Sequence, residues 1–72
     1  MEREHDHWTI EVNSYESEQG KWRPIVTVSI ETKHAAVLTR RLVTPAEWAF
    51  DTEQESDERG YQHAVTWIDE GV

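Results

Sequence analysis

The chain has no cysteine, only two prolines and three glycines, and a single phenylalanine among its 72 residues. Without cysteine there is no disulfide framework and no thiolate zinc site. That fits a reducing compartment. No segment approaches the ~18 apolar residues of a membrane span. The first residues, Met1-Glu2-Arg3-Glu4-His5-Asp6-His7, are charged and mixed in sign, and no apolar stretch follows them. We therefore expect neither a signal peptide nor a membrane anchor, and a cytoplasmic location. No glycine-rich phosphate loop is present, and no serine sits in a recognisable nucleophile setting.

A chain this short buries only about 60% of the surface its unfolded form exposes. We expect a single domain over 1–72, with residues 1–6 disordered. Four tryptophans are a heavy allotment for this length, and a tryptophan-rich core is the expected compensation. Dimerisation is the expected supplement.

The net charge is −8, unevenly spread. Residues 1–20 carry six acids and one base. Residues 21–46 carry five bases (Lys21, Arg23, Lys33, Arg40, Arg41) against Glu31 alone, and residues 47–72 carry eight acids against Arg59 alone. A basic middle between acidic ends suggests internal complementarity, an acidic helix packing near a basic sheet edge. The alternative is a basic patch for an anionic partner, which the overall acidity opposes where that partner is nucleic acid.

Trp8, Ile10 and Val12 alternate with Thr9, Glu11 and Asn13, the period of a strand with one wet face. Tyr15 to Gly20 breaks the pattern and suits a hairpin connection. Trp22, Val26, Val28 and Ile30 alternate with Thr27, Ser29 and Glu31, and the β-branched density from Ile25 to Thr32 supports a second strand. Pro24 cannot donate to a ladder, so it belongs at a strand start or an edge. Lys33-His34-Ala35-Ala36 reads as a turn. Val37 to Val43 is a third strand, with Arg40 on the face of Leu38 and Leu42, where it must snorkel or lie at an edge.

From Thr52 the period becomes helical. Ser56, Gly60 and Ala64 form a row that Trp67 and Ile68 extend, so an amphipathic helix is expected over about 53–70. Thr52 is its N-cap, Glu55 completes a capping box, and Gly71 is its stop. Thr44-Pro45-Ala46-Glu47 is a second cap signal. A helix starting there would set Trp48 and Phe50 about 200° apart around its axis. A single turn or irregular crossing is expected instead, with Trp48 and Phe50 closing the sheet's end under the helix. Gly60 is expected to admit a tryptophan of the sheet, and Glu55–Arg59 to pair across one helical turn. The fold class is α+β, a three-stranded antiparallel β-meander with one C-terminal α-helix on one face (β-β-β-α).

Trp22-Arg23-Pro24, the valine-rich strand, Phe50-Asp51-Thr52 with Glu55, and Gly60, Ala64 and Trp67-Ile68-Asp69 together resemble a group of small uncharacterised bacterial proteins. These share a tryptophan-containing strand, an F-x-T helix start and an A-x-x-W-I helix end. The resemblance spans residues 8 to 70 and implies a bacterial, cytosolic α+β domain. It carries over no catalytic residues. The element order is also similar to double-stranded-RNA-binding folds, but the helix here starts Glu53-Gln54-Glu55-Ser56-Asp57-Glu58, which repels phosphate.

His5-Asp6-His7 is the one metal-like cluster. Histidines alternating on a strand share a face, and His34 or His63 would complete a zinc or nickel site. The competing reading is a solvated N-terminus. The helix carboxylates read as a solvated face rather than a catalytic pair, which needs a cleft. The function expected is non-catalytic and without cofactor: a protein-interaction or self-associating module, with Arg23, Lys33, Arg40 and Arg41 at the partner-binding surface. The alternative is nucleic-acid binding through Lys33, Arg40 and Arg41, with Trp22 as a stacking platform if it is exposed.

Overall fold

A computed structural model describes residues 1–31 and 37–71. The antiparallel sheet has four strands in chain order: β1 (Glu2–His5), β2 (Trp8–Glu16), β3 (Trp22–Glu31) and β4 (Val37–Leu42). One helix, α1 (Glu53–Asp69), follows them. The class is the expected α+β with a C-terminal helix, but the sheet gains a strand. Residues expected to be disordered form β1, pairing Glu2 with Glu11 and His5 with Trp8. The main chains of Met1 and Val12 lock its start through two hydrogen bonds of 2.8 and 2.9 Å. The connection is a two-residue hairpin loop, with Asp6 and His7 both at positive φ (50° and 71°), as a type I′ turn requires.

Strand alternation sends Ile10, Val12, Val26 and Val28 to one face, where all four are fully buried. α1 lies over β2 and β3 on that face and contributes Ala64 and Ile68 to the core. The core is therefore built of small aliphatic residues. None of the four tryptophans is fully buried; each is partly buried at a margin of the sheet or helix. Trp8 and Trp67 meet edge to face, with centroids 5.3 Å apart, beside the core.

The small-residue row has the expected purpose and a different neighbour. A Cβ on Gly60 would lie 2.7 Å from Val12 Cγ1, 3.0 Å from Pro24 Cβ and 3.1 Å from Val26 Cγ2. Valines and a proline, not a tryptophan, crowd that position. Burying the helix axis this close is what excludes a side chain. Ser56, also fully buried, has its hydroxyl 2.8 Å from Ser14 Oγ, which lies 2.6 Å from Asp57 Oδ1.

Thr52 caps α1, its side chain accepting from Glu55 N at 3.1 Å. Gly71 ends it at φ 80°, donating to Ile68 O. The earlier cap signal makes only a turn, closed by Trp48 N to Pro45 O at 3.1 Å. Phe50 then returns to the sheet and exchanges two backbone hydrogen bonds with Trp22. Pro24 occupies the gap between that bridge and the end of β4, whose last pair is Leu42 with Val26. Among the described residues no strand asks for its missing donor there, which reconciles a proline with an inner strand.

Candidate interaction surface

β4 is an edge strand. Trp22 pairs with Glu16 on one side and turns its amide and carbonyl to Phe50 on the other. Alternation carries that direction along β3 to Val26, Val28 and Ile30, whose β4 partners are Leu42, Arg40 and Leu38. These three bond inward. Val37, Thr39 and Arg41 therefore present their backbone groups outward. The same strand carries exposed apolar side chains, with Leu38 at 58% and Val37 at 57% relative exposure, and Val43 follows at 89%. Exposed apolar side chains beside an unpaired edge are a template for another chain.

The helix does not cover β4. Leu38, Arg40 and Leu42 share the helix side of the sheet, yet only Leu42 is buried. Arg40 sits at the edge, as its place in the pattern required. It reaches Trp67, with Cζ 5.8 Å from the ring centroid. Farther along the same flank, Trp48 lies edge to face with His63 at 5.2 Å, and the Arg59 guanidinium is 5.4 Å from the Trp48 centroid. His63 Nε2 lies 2.9 Å from Val43 O, tying the helix to the end of β4. Trp48, Arg59, Gln62, His63 and Thr66 line a shallow notch of about 200 Å³.

The expected partner-binding residues divide. Arg40 and Arg41 stand on β4, on opposite faces of the sheet. Arg23 is engaged elsewhere, donating to Ala46 O at 2.9 Å and pinning the 43–49 crossing. Lys33 lies outside the described residues, as does His34. Two further residues join this flank: Arg59, expected to pair with Glu55, lies over Trp48 instead, and His63, expected only as a third metal ligand, meets Trp48 edge to face. Their spacing of four places them on one helix face, a signal present in the sequence. What it lacked was any indication that Trp48 would arrive there from the crossing.

Charge complementarity is present but not where expected. The acidic helix meets the N-terminal strand through the Arg3–Glu58 ion pair at 3.2 Å, beside a hydrogen bond of 2.8 Å between His5 Nε2 and Asp69 Oδ1. Lys21 is bonded to Asp51. That hydrogen bond, and then the lysine's charge, hold the exposed Asp51 carboxyl below its ordinary range. Among the described residues, Arg40 and Arg41 form no ion pair. Among these residues the cationic strand edge has no acidic partner, on a chain that is acidic as a whole.

Among the described residues, the histidines are not brought together. His5 ends β1 and is paired with Asp69, whereas His7 lies in the turn, so the two do not alternate along one strand. His63 is at the opposite flank of the helix. Among the described residues, no group of three or more His, Asp or Glu side chains could hold a metal ion. A larger depression of about 680 Å³, on the end of the sheet near the β1–β2 turn, is lined by Glu4, His7, Thr9 and Glu31 among others. Trp22 is half-buried, and its backbone is paired with that of Phe50. Among the described residues, no helix is long and apolar enough to cross a membrane.

No family model matches the chain, and no curated protein or solved structure is detectably similar to it.

Proposed function

We propose that the chain is a non-catalytic protein-interaction module that engages a partner protein, or a second copy of itself, along the β4 flank. One observation carries this reading. An unpaired strand edge, exposed Leu38 and Val37, and two arginines without an ion pair among the described residues coincide on one flank. Open backbone groups and apolar side chains supply affinity, while cations at the rim select the partner.

The second reading is nucleic-acid binding. The contacts of Arg40 with Trp67 and Arg59 with Trp48 favour it, since bases stack on aromatics and phosphates seek cations. The net charge of −8 opposes it through the long-range field.

The test places a photo-crosslinking residue at Leu38 and, as a control, at Gln54 in cells expressing the chain. A discrete protein adduct from position 38 alone, lost in Arg40→Glu/Arg41→Glu, is the expected result. Adducts independent of position, or micromolar oligonucleotide binding that weakens steeply with salt, overturn the reading.

A further inference from the structure

Resting on that reading, we propose that β4 takes up an extended acidic peptide as a fifth strand of the sheet. The partner segment is an adjacent acidic pair flanked by β-branched or other apolar residues. Strand addition draws affinity from backbone hydrogen bonds and specificity from alternate side chains. Here the bonds would come from Val37, Thr39 and Arg41, the residues whose backbone groups face outward. An incoming strand places neighbouring side chains on opposite faces of the sheet. Opposite Arg40 and Arg41, which are themselves neighbours on opposite faces, it meets one cation on each side. Two consecutive acids answer both. Opposite Val37 and Leu38 it meets two exposed apolar side chains, again one per face, which call for apolar residues. On the helix side the segment also runs beside Trp67, which Arg40 already touches.

A second copy of this chain fits that edge poorly. Two β4 strands in well-overlapped antiparallel registers bring their Arg40-Arg41 pairs opposite or beside one another, and like charges across strands oppose pairing. Docking β1 of another copy offers acids, Glu2 and Glu4, on one face only and sets Arg3 on the other, so it answers one of the two cations and not both. It also leaves one free edge on each side, a head-to-tail contact that does not close. The arginines thus deter self-pairing and select an acidic strand at once.

The probe is a capped eight-residue peptide with two central glutamates, two valines on each side of them and a threonine at each end. Its counterpart has lysines for the glutamates. Titration into the isotopically labelled chain should shift the amides of Val37 to Leu42. The lysine peptide should bind about tenfold more weakly or worse, and Arg40→Glu/Arg41→Glu should reverse that preference. Thr39→Pro removes one outward donor at an edge, where proline is tolerated, and should abolish binding with the remaining amide spectrum retained. N-methylation along one edge of the peptide should abolish binding, and along the other should not. This last readout does not depend on any variant folding. No binding of the glutamate peptide at millimolar concentration overturns the proposal. Shifts confined to the Trp48–Arg59–His63 notch overturn strand addition but leave the interaction-module reading standing. An oligonucleotide that displaces the peptide from the same amides overturns both.

Discussion

The Arg40 guanidinium lies 5.8 Å from the centroid of the Trp67 ring, joining the edge strand to the last turns of the helix. Trp67 also meets Trp8 edge to face, so one half-buried ring of α1 touches side chains of both β4 and β2. Trp67→Ala should destabilise the chain by about 2–3 kcal/mol, below the ~3–5 kcal/mol upper range for a fully buried tryptophan. Trp67→Phe, which keeps an aromatic edge for Trp8, should lose less. Urea denaturation followed by helical circular dichroism measures both. A midpoint unchanged in the alanine variant would remove Trp67 from the account of stability.

Gly60→Ala should destabilise, against the helix propensity that favours alanine by about 1 kcal/mol. The added methyl would stand 2.7 Å from a buried valine and 3.0 Å from a proline ring, neither of which can withdraw freely. Overpacking of this kind costs about 1–3 kcal/mol. A raised melting temperature would show that the helix can lift from the sheet without loss.

His7 holds φ 71°, a left-handed conformation that disfavours a β-carbon by about 1–2 kcal/mol. Glycine relieves that strain while adding unfolded-state entropy worth about 0.5–1 kcal/mol. His7→Gly should therefore stabilise the chain modestly, by about 0.5 kcal/mol, read as a small rise in the denaturation midpoint. A lower midpoint would mean the imidazole makes a contact that outweighs the strain.

Asp51 contributes with a definite sign. Its carboxyl is held below the ordinary value by Lys21, so the folded state favours the ionised form. The stabilisation is fully present above the ordinary carboxylate range, about pH 4, and disappears as pH falls through the lowered folded value. The pair is exposed, so the effect is small. The difference in melting temperature between the native chain and Asp51→Asn should shrink as pH drops from 5 towards 2. A difference that stays constant would detach Asp51 from the acid response.

Much of this fold was legible because local chemistry and tertiary packing agree. Thr52 and Glu55 mark the helix start, Gly71 its end, and the Ser56-Gly60-Ala64 row its buried face, all from spacing alone. The alternation of Ile10, Val12, Val26 and Val28 marks the core. β1 was not legible. Glu2 to His5 have no apolar alternation, and its turn uses Asp6-His7 where an Asn-Gly or Asp-Gly pair would have signalled a hairpin. The margins were misread because tryptophan suggests burial by its size, while its actual places depend on where the helix stops covering the sheet. Arg40 and Arg41 could be singled out as the cationic surplus of the middle segment. That their strand is an open edge, with Arg59, His63 and Trp48 on the same flank, depends on which side of the sheet the helix leaves uncovered. No local pattern encodes that.

The central claim is that β4 is a docking edge, and amide hydrogen exchange with and without the glutamate peptide tests it most directly. Thr39 and Arg41 present their amides outward and should exchange quickly in the free chain. With saturating peptide both should slow markedly, while the inward-bonded Leu38 and Arg40 change little. An alternating response along one strand is the signature of a new partner strand. Thr39 and Arg41 exchanging at the same rate with and without peptide, or all β4 amides slowing equally, would contradict the account.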